Sequence, residues 1–274
     1  QGASLQFLNN LQGHANNLTL TGNAELNAVD NINQFTVNGN AKFFGNLGAT
    51  TALGSIAVNG NTEFYNTQIT TSGTQTYAGS AHLFNPLTLS GSLISFGNQL
   101  EGNNQDLTIL GNADFAGING VRDLKINGNA RFNAAVGDLL PLRNLTVSGE
   151  TELLAPQFIT QEDQTYQGGL NLLGSTQLQG RQLDFSSNID GPYALTLIGK
   201  TILSGRVGEL NPLERLVVQG DLEVNTDRIT TTGGQDYQGK VQLNRDSNFT
   251  ASEINFARAV DALQAGNQGL VLNG

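Results

Sequence analysis

The nonapeptide LTLTGNAEL, residues 18–26, recurs along this chain as FTVNGNAKF at 35–43 and as IAVNGNTEF at 56–64. Counted from the glycine, apolar or small side chains fall at −4, −2, +2 and +4, and mostly polar ones lie between them. Alternation with a period of two predicts a strand that buries one of its faces. Further copies stand at 107–115, 124–132, 145–153, 195–203 and 216–224, with a partial copy at 270–274.

The spacing of the motif glycines indicates a tandem array. The first three recur 89 residues later, and two of those recur after a further 71: Gly22, Gly39 and Gly60, then Gly111, Gly128 and Gly149, then Gly199 and Gly220. We therefore predict a single elongated segment over residues 1–274. Its modules are expected at approximately 7–95, 96–184 and 185–255, followed by a partial module at 256–274.

The interval between motifs predicts how the chain is wound. The Asn-Gly pairs lie inside the strand motif, so they are not hairpin turns, and we expect them at bends where Gly or Asn takes a positive φ. Short strands returning every 17–21 residues favour coils that stack in parallel. We predict an all-β right-handed parallel β-helix, or β-solenoid, of about 14 coils. Helical periodicity is suggested only at 257–263.

The polar positions of the motif provide a test of this stacking. Position +3 reads acid–base–acid in the first module and again in the second, as Glu25, Lys42 and Glu63, then Asp114, Arg131 and Glu152. In stacked coils about 4.8 Å apart, this order avoids like-charged neighbours. Position −3 predicts an outward threonine ladder, formed by Thr19, Thr36, Thr108, Thr146 and Thr196.

A second repeated string, ITTSGTQTYAG at 69–79, returns at 159–168 and at 229–239. Its tyrosines are Tyr77, Tyr166 and Tyr237, and a glutamine precedes each by two residues. We interpret the string as a structural coil in which the tyrosine fills a corner and the glutamine satisfies backbone groups at the bend. The alternative is an aromatic platform for sugars, repeated along one face.

Composition excludes several classes of function. A net charge of −10 with only 13 Lys and Arg argues against nucleic-acid binding. Cysteine is absent, and no run of 18 apolar residues is present that would span a membrane. Methionine is also absent, so Gln1 is expected to result from processing or to lie within a longer chain.

Sequence signals for chemistry are weak. The two histidines, His14 and His82, lack a second histidine at metal-ligand spacing, and neither a G-x-S-x-G elbow nor a phosphate-binding loop occurs. The acids Asp138 and Glu209 occupy matching turns of different modules, which is repetition and not a cluster. We predict no catalytic, cofactor-binding or metal-binding residues, no cofactor and no enzymatic activity.

The repeated strings resemble those of filamentous-haemagglutinin-type exoproteins, which are large bacterial surface or secreted proteins. The resemblance rests on the ITT-x-G-x-Q-x-Y-x-G strings, the LTV-x-G strands and the VG-x-L-x-PL turns at 136–142 and 207–213. It implies a right-handed parallel β-helix, export through an outer-membrane pore by two-partner secretion, and roles in adhesion, aggregation and biofilm formation. It supplies no functional residue.

Three functions are consistent with these observations. The first is a non-enzymatic structural or adhesive segment of an extracellular fibre, whose solenoid ends contact flanking repeats or further copies. The second is a module that binds host or bacterial surface glycans, which would require several tyrosines to face solvent on one side. The third is a β-helix enzyme that degrades polysaccharides, which would require an acid cluster within about 10 Å at a groove.

Overall fold

The computed structural model describes residues 4–274 as strands and turns, with no helix among them. The strands form two compact units, one ending at Asn133 and the other beginning at Ala134. The first unit contains β1 Ser4–Phe7, β2 Leu11–Leu20, β3 Asn23–Leu26, β4 Val29–Val37, β5 Ala41–Phe43, β6 Ser55–Val58, β7 Thr62–Phe64, β8 Gln68–Thr70, β9 Gln75–Tyr77, β10 Ala81–Leu83, β11 Leu87–Glu101, β12 Leu107–Asn119, β13 Asp123–Ile126 and β14 Ala130–Phe132.

The second unit is built in the same way. Its strands are β15 Asn144–Val147, β16 Thr151–Leu153, β17 Gln157–Ile159, β18 Asp163–Tyr166, β19 Leu170–Leu172, β20 Thr176–Phe185, β21 Ile189–Asp190, β22 Ala194–Leu203, β23 Arg215–Val218, β24 Leu222–Val224, β25 Arg228–Thr230, β26 Gly234–Tyr237, β27 Val241–Leu243, β28 Ser247–Thr250, β29 Glu253–Phe256, β30 Val260–Ala262 and β31 Leu270–Asn273. The helical periodicity suggested at 257–263 is wrong, because that stretch contains β30.

Each coil of the first unit passes through three parallel sheets in a fixed order. Sheet A stacks the first residues of β2 and β4, then Leu47, β8, the first parts of β11 and β12, and β13. Sheet B stacks the last parts of β2 and β4, then β6, β9, the middle parts of β11 and β12, and β14. Sheet C stacks β1, β3, β5, β7, β10 and the last parts of β11 and β12.

The second unit also has three parallel sheets. One stacks β15, β18, the last parts of β20 and β22, β24, β27 and β30. Another stacks β16, β19, β21, Val207, β25, β28 and β31. The third stacks Val136, β17, the first parts of β20 and β22, β23, β26 and β29. With seven strand positions per sheet in each unit, the predicted parallel β-solenoid of about 14 coils is confirmed.

Inward side chains form ladders along the coil axis. In sheet B, Tyr77, Phe96, Phe115 and Phe132 are all buried and stack with centroid separations of 5.2, 5.4 and 5.5 Å. Stacked aromatic pairs contribute about 0.5–1.5 kcal/mol each beyond the area that they bury. These contacts therefore stabilise the register in which equivalent residues of successive coils lie over one another.

The motif glycines mark corners between sheets where successive coils touch. A Cβ on Gly60 would lie 2.6 Å from the carbonyl oxygen of Gly39, and one on Gly220 would lie 2.0 Å from that of Gly199. Only Gly111 and Gly199 of the motif glycines have φ in the left-handed range. Neither of these two follows an asparagine, so the positive φ expected at the Asn-Gly pairs of the motif, which end in Gly39, Gly60 and Gly128, is wrong. Close backbone contact is the constraint there.

The 89-residue repeat is not a whole number of coils. Leu20, two residues before Gly22, lies in sheet B over Val37, whereas its counterpart Ile109 lies in sheet A beside Leu89. The repeat thus contains four complete coils and two of the three sheets of a fifth. Equivalent motif positions consequently move to a different sheet in the next module.

This shift breaks the threonine ladder predicted from position −3. Thr19 and Thr36 are neighbours in sheet B, but the column continues with Ala57. Thr108 lies in sheet A, between Thr88 and Lys125. The prediction of one continuous threonine ladder is wrong, since it assumed that all copies of the motif occupy one sheet.

Candidate interaction face of the first unit

The repeated tyrosine string forms part of the core in all three copies. Tyr77, Tyr166 and Tyr237 are at most 1% exposed, and their hydroxyls donate to the side-chain oxygens of Gln75, Gln164 and Gln235 at 2.9, 2.8 and 2.9 Å. Burial raises the pKa of each of these tyrosines well above its usual value. The structural interpretation of the string is confirmed, and these rings are not a sugar platform.

The paired glutamine joins neighbouring coils. Gln75 Nε2 donates to the carbonyl oxygens of Ser90, at 2.8 Å, and Ile69, at 3.3 Å. Gln235 repeats the arrangement with Thr250, at 3.0 Å, and Ile229, at 3.3 Å. The buried amide is satisfied in the same way in each copy, as a structural role requires.

The outward surface of sheet C carries a column of polar side chains, five of which are ionisable. Along the coil axis, residues from successive strands lie opposite one another in the order Gln6, Glu25, Lys42, Glu63, His82 and Glu101. We call this row the charge column. Lys42 Nζ lies 3.0 Å from a carboxylate oxygen of Glu63, and the Gln6 amide donates to Glu25 at 2.8 Å. The predicted acid–base ladder of the first module is confirmed.

Hydrogen bonding shifts the pKa values of the two residues at the centre of the charge column, Lys42 and Glu63. The hydrogen bond and the charge of Glu63 raise the pKa of Lys42. Burial by itself would raise the pKa of Glu63, but hydrogen bonds from Lys42 and from Tyr65 outweigh it and lower that pKa. The Tyr65 hydroxyl donates to Glu63 at 2.8 Å. Both partners of the ion pair are therefore held in their charged forms.

In the second module, Asp114 and Arg131 are also directly opposite each other, in sheet B. The expected stacking of these two positions is confirmed. They lie on another sheet from the charge column, as the shift between modules requires.

An aromatic ladder runs beside the charge column at the edge of sheet C. Phe44 and Tyr65 stack with centroids 4.9 Å apart and ring planes at 17°, and Tyr65 and Phe84 stack at 4.4 Å and 6°. Phe44 is 48% exposed and Phe84 is 42% exposed. Large apolar rings left partly in water mark candidate contact surfaces.

The aromatic ladder belongs to the first module alone. The equivalent residues are Asn133, Leu154 and Leu173 in the second module and Ser204, Asn225 and Asn244 in the third. In the third module Asn244 donates to Asn225 at 2.7 Å, so an amide pair stands at the equivalent sequence positions, on a sheet of the second unit. Stacking of coils therefore does not by itself require aromatic residues after these strands. Sequence analysis missed the three rings, although FF, FY and LF at 43–44, 64–65 and 83–84 interrupt the alternation.

A third column, of asparagines, lies on the other side of the charge column. The side-chain oxygens of Asn23, Asn40 and Asn61 accept the backbone N–H of Asn40, Asn61 and Ser80 at 2.9, 2.9 and 3.0 Å. A shallow groove of about 310 Å³ runs between this column and Glu25, Lys42 and Glu63. The asparagines already use their oxygens to hold successive coils together.

The other ionisable residues considered from sequence lie apart from this face. His14 is exposed within β2, with φ of 47° where the register with β4 is irregular, and Asp138 is exposed. Glu209 forms ion pairs with Arg206, at 2.8 Å, and Arg228, at 3.4 Å. Within residues 4–274, no group of three His, Asp or Glu side chains is arranged to hold a metal ion.

Comparison with protein-family models, curated proteins and solved structures gives no match to this chain. A search of the described residues for a helix long and apolar enough to cross a membrane finds none. The geometry of the chain itself is therefore the basis for a functional assignment.

Proposed function

We propose that this chain is a non-enzymatic structural and adhesive segment of a bacterial cell-surface or secreted fibre of the filamentous-haemagglutinin type. One observation carries the proposal: the string that recurs in every full module forms the same buried Tyr–Gln network each time. A network that joins neighbouring coils in every module allows the solenoid to lengthen and keeps it stiff, because such folds grow by adding repeats that make equivalent contacts with their neighbours. The corner glycines and the outward charge column favour the same alignment of successive coils.

In the proposed fibre, the ends of the solenoid contact flanking repeats or further copies of the chain. Open strand edges readily pair with further strands, so such contacts would continue the sheets.

Electron microscopy of material released from the native cells tests the proposal, with gold-labelled antibody against this chain. Labelled thin filaments attached to or shed from the cell surface would support it. Filaments much longer than one chain could span would indicate end-to-end assembly, and single rods of one chain's length would indicate a stalk. Label confined to the cell interior, without filaments, would overturn it.

Polysaccharide binding is the second candidate, and the exposed aromatic ladder favours it. Sugars stack on ring faces and form hydrogen bonds at their hydroxyls, so exposed rings beside the polar charge column suit them. However, both faces of Tyr65 are covered by Phe44 and Phe84, which leaves mainly ring edges and the two terminal faces. Affinity electrophoresis through gels that contain bacterial or host glycans tests this function. A polysaccharide-degrading activity would instead release reducing ends from the same polymers.

A further inference from the structure

We propose that the outward face of sheet C binds a second copy of this chain, side by side and antiparallel, through the aromatic ladder and the charge column. The contact is isologous, so each copy presents the same residues to the other. The inference rests on the proposed fibre function for its setting, because it would join two fibres laterally. The contact itself is a property of the purified chain and can be tested without the cell.

The aromatic ladder provides the apolar centre of the contact. Phe44, Tyr65 and Phe84 lie in one line on three successive coils, and the two outer rings are 48% and 42% exposed. The third module has Ser204, Asn225 and Asn244 at the equivalent sequence positions, so the repeat does not require aromatic residues after these strands. Aromatic side chains are enriched in protein interfaces, where they bury much area with little loss of conformational freedom.

The charge column supplies the complementarity. A two-fold axis midway between Lys42 and Glu63 places Lys42 opposite Glu63 of the partner subunit, and Glu63 opposite Lys42 of the partner subunit. The same axis places Glu25 opposite His82 of the partner subunit. The central contact between Lys42 and Glu63 of the partner subunit thus joins opposite charges, and it is made twice. Parallel copies in register would instead bring Lys42 against Lys42 of the partner subunit, which is repulsive.

The shape of the ladder favours a protein partner over a sugar. Because the rings stack on one another, their exposed parts are mainly edges. Ring edges carry the positive part of the quadrupole and pack well against the faces of other aromatic rings. An antiparallel copy brings its own ladder to this strip, so that Phe44 meets Tyr65 of the partner subunit.

Sedimentation velocity over a concentration series tests the contact with the purified chain. We expect the unchanged protein to shift from monomer to dimer as its concentration rises. The triple variant Phe44→Ser, Tyr65→Asn, Phe84→Asn carries the residues of the third module and is expected to raise the dissociation constant at least tenfold. The matched control Leu154→Asn changes an exposed leucine at the same position of the second module, and dimerisation should not change.

Two charge variants distinguish the antiparallel arrangement. Lys42→Glu places like charges opposite each other twice and should weaken the dimer at least tenfold. The double exchange Lys42→Glu, Glu63→Lys keeps opposite charges across the two-fold axis and should restore most of the affinity. In a parallel arrangement shifted by one coil, the double exchange would create like-charge contacts and would not restore it. Circular dichroism melting curves confirm that each variant is folded.

Three results would overturn the inference: a monomer at every concentration, a dimer unchanged by the triple variant, or no restoration by the double exchange. Binding of a glycan that is lost in the triple variant, with sedimentation unchanged, would also overturn it and assign the ladder to sugars. The fibre proposal fails separately, through the antibody label on cells. Labelled surface filaments together with a monomeric purified chain would leave that function standing and remove only this contact.

Discussion

Replacing Gly220 with alanine would place a methyl group where two coils of the second unit touch. The new Cβ would lie 2.0 Å from the Gly199 carbonyl oxygen and 2.4 Å from its carbon. Both atoms belong to the backbone, so no side chain can rotate away. The two coils would have to separate by about 1.4 Å at this corner to bring the 2.0 Å contact to the 3.4 Å of ordinary van der Waals contact. That movement loosens the adjacent hydrogen bonds, from Thr201 N to Asp221 O and from Gln219 N to Leu197 O, both 2.8 Å.

The expected cost follows from these contacts. Overpacking costs about 1–3 kcal/mol. Weakening two hydrogen bonds adds about 1 kcal/mol each. Restricting the unfolded chain returns about 0.4–1 kcal/mol. We expect Gly220→Ala to lower the free energy of unfolding by about 3 kcal/mol, within the range of these terms.

Gly234 provides a matched control in the same unit. It lies in β26, and the nearest atom to an added Cβ is Glu253 O at 3.8 Å, which is an ordinary contact. Its φ lies outside the left-handed range that disfavours alanine. Gly234→Ala should therefore stabilise the chain by about 0.4–1 kcal/mol, because only the unfolded state loses freedom. Strand propensity alone would predict a gain at both positions.

Urea unfolding followed by circular dichroism would measure both variants, with amide hydrogen exchange to locate the loosened coils. In a solenoid the damage can remain local, so exchange near Gly199 and Gly220 should accelerate even where the global transition moves little. The reasoning would be refuted if the two variants changed stability in the same direction. A Gly220→Ala variant within about 0.5 kcal/mol of the unchanged protein, with normal exchange, would refute it equally.

Three further predictions concern the core, the surface and a turn. The buried tyrosines have raised pKa values, so their contribution to stability is complete below about pH 10 and is lost at higher pH. Ultraviolet difference spectroscopy should show that Tyr77, Tyr166 and Tyr237 ionise only as the chain unfolds, and early ionisation of all five tyrosines would contradict this. Arg206→Ala removes a two-bond pair to Asp227, at 2.8 Å each, and should destabilise the chain, less at high salt. The hydrogen bond to Arg206 lowers the pKa of Asp227, so this stability is present near neutral pH and is lost as the pH falls through that lowered pKa; acid titration of the variant should lack the loss. Ala15→Gly should stabilise the chain by about 0.5–1 kcal/mol in thermal melts, because Ala15 has φ of 61° where the register of β2 is irregular, and a loss would contradict the strain at that position.

Much of the fold could be predicted from the sequence, because the decisive interactions are repeated in it. Apolar side chains at −4, −2, +2 and +4 specify an inward face wherever the motif occurs. The order of Glu25, Lys42 and Glu63 predicted stacked coils, and the structure places them opposite one another. The string around Tyr77 was correctly assigned to packing. These inferences depend only on contacts within one coil or between adjacent coils.

The candidate interaction face was not predicted, for a local reason. Phe44, Tyr65 and Phe84 each follow an inward apolar residue at the point where the strand ends. Beyond the end of a strand, alternation no longer predicts whether a side chain points inward or outward. An apolar residue at that position could equally be assigned to the core. Their outward position depends on the shape of the corner and on the rings of the coils above and below.

The sequence by itself determined the parallel β-solenoid, its coil count and the residues that fill its interior. The interior residues follow from alternation with a period of two, and the coils follow from the 17–21-residue spacing of the motif. Only the tertiary structure decided which sheet each module's motif occupies. A repeat of 89 residues ends two-thirds of the way round a coil, so Thr19 and Thr108 have equivalent sequence positions but lie on different sheets. For the same reason, a surface column joins residues that lie at the same angle around the coil, and the charge column continues from His82 of the first module to Glu101 of the second.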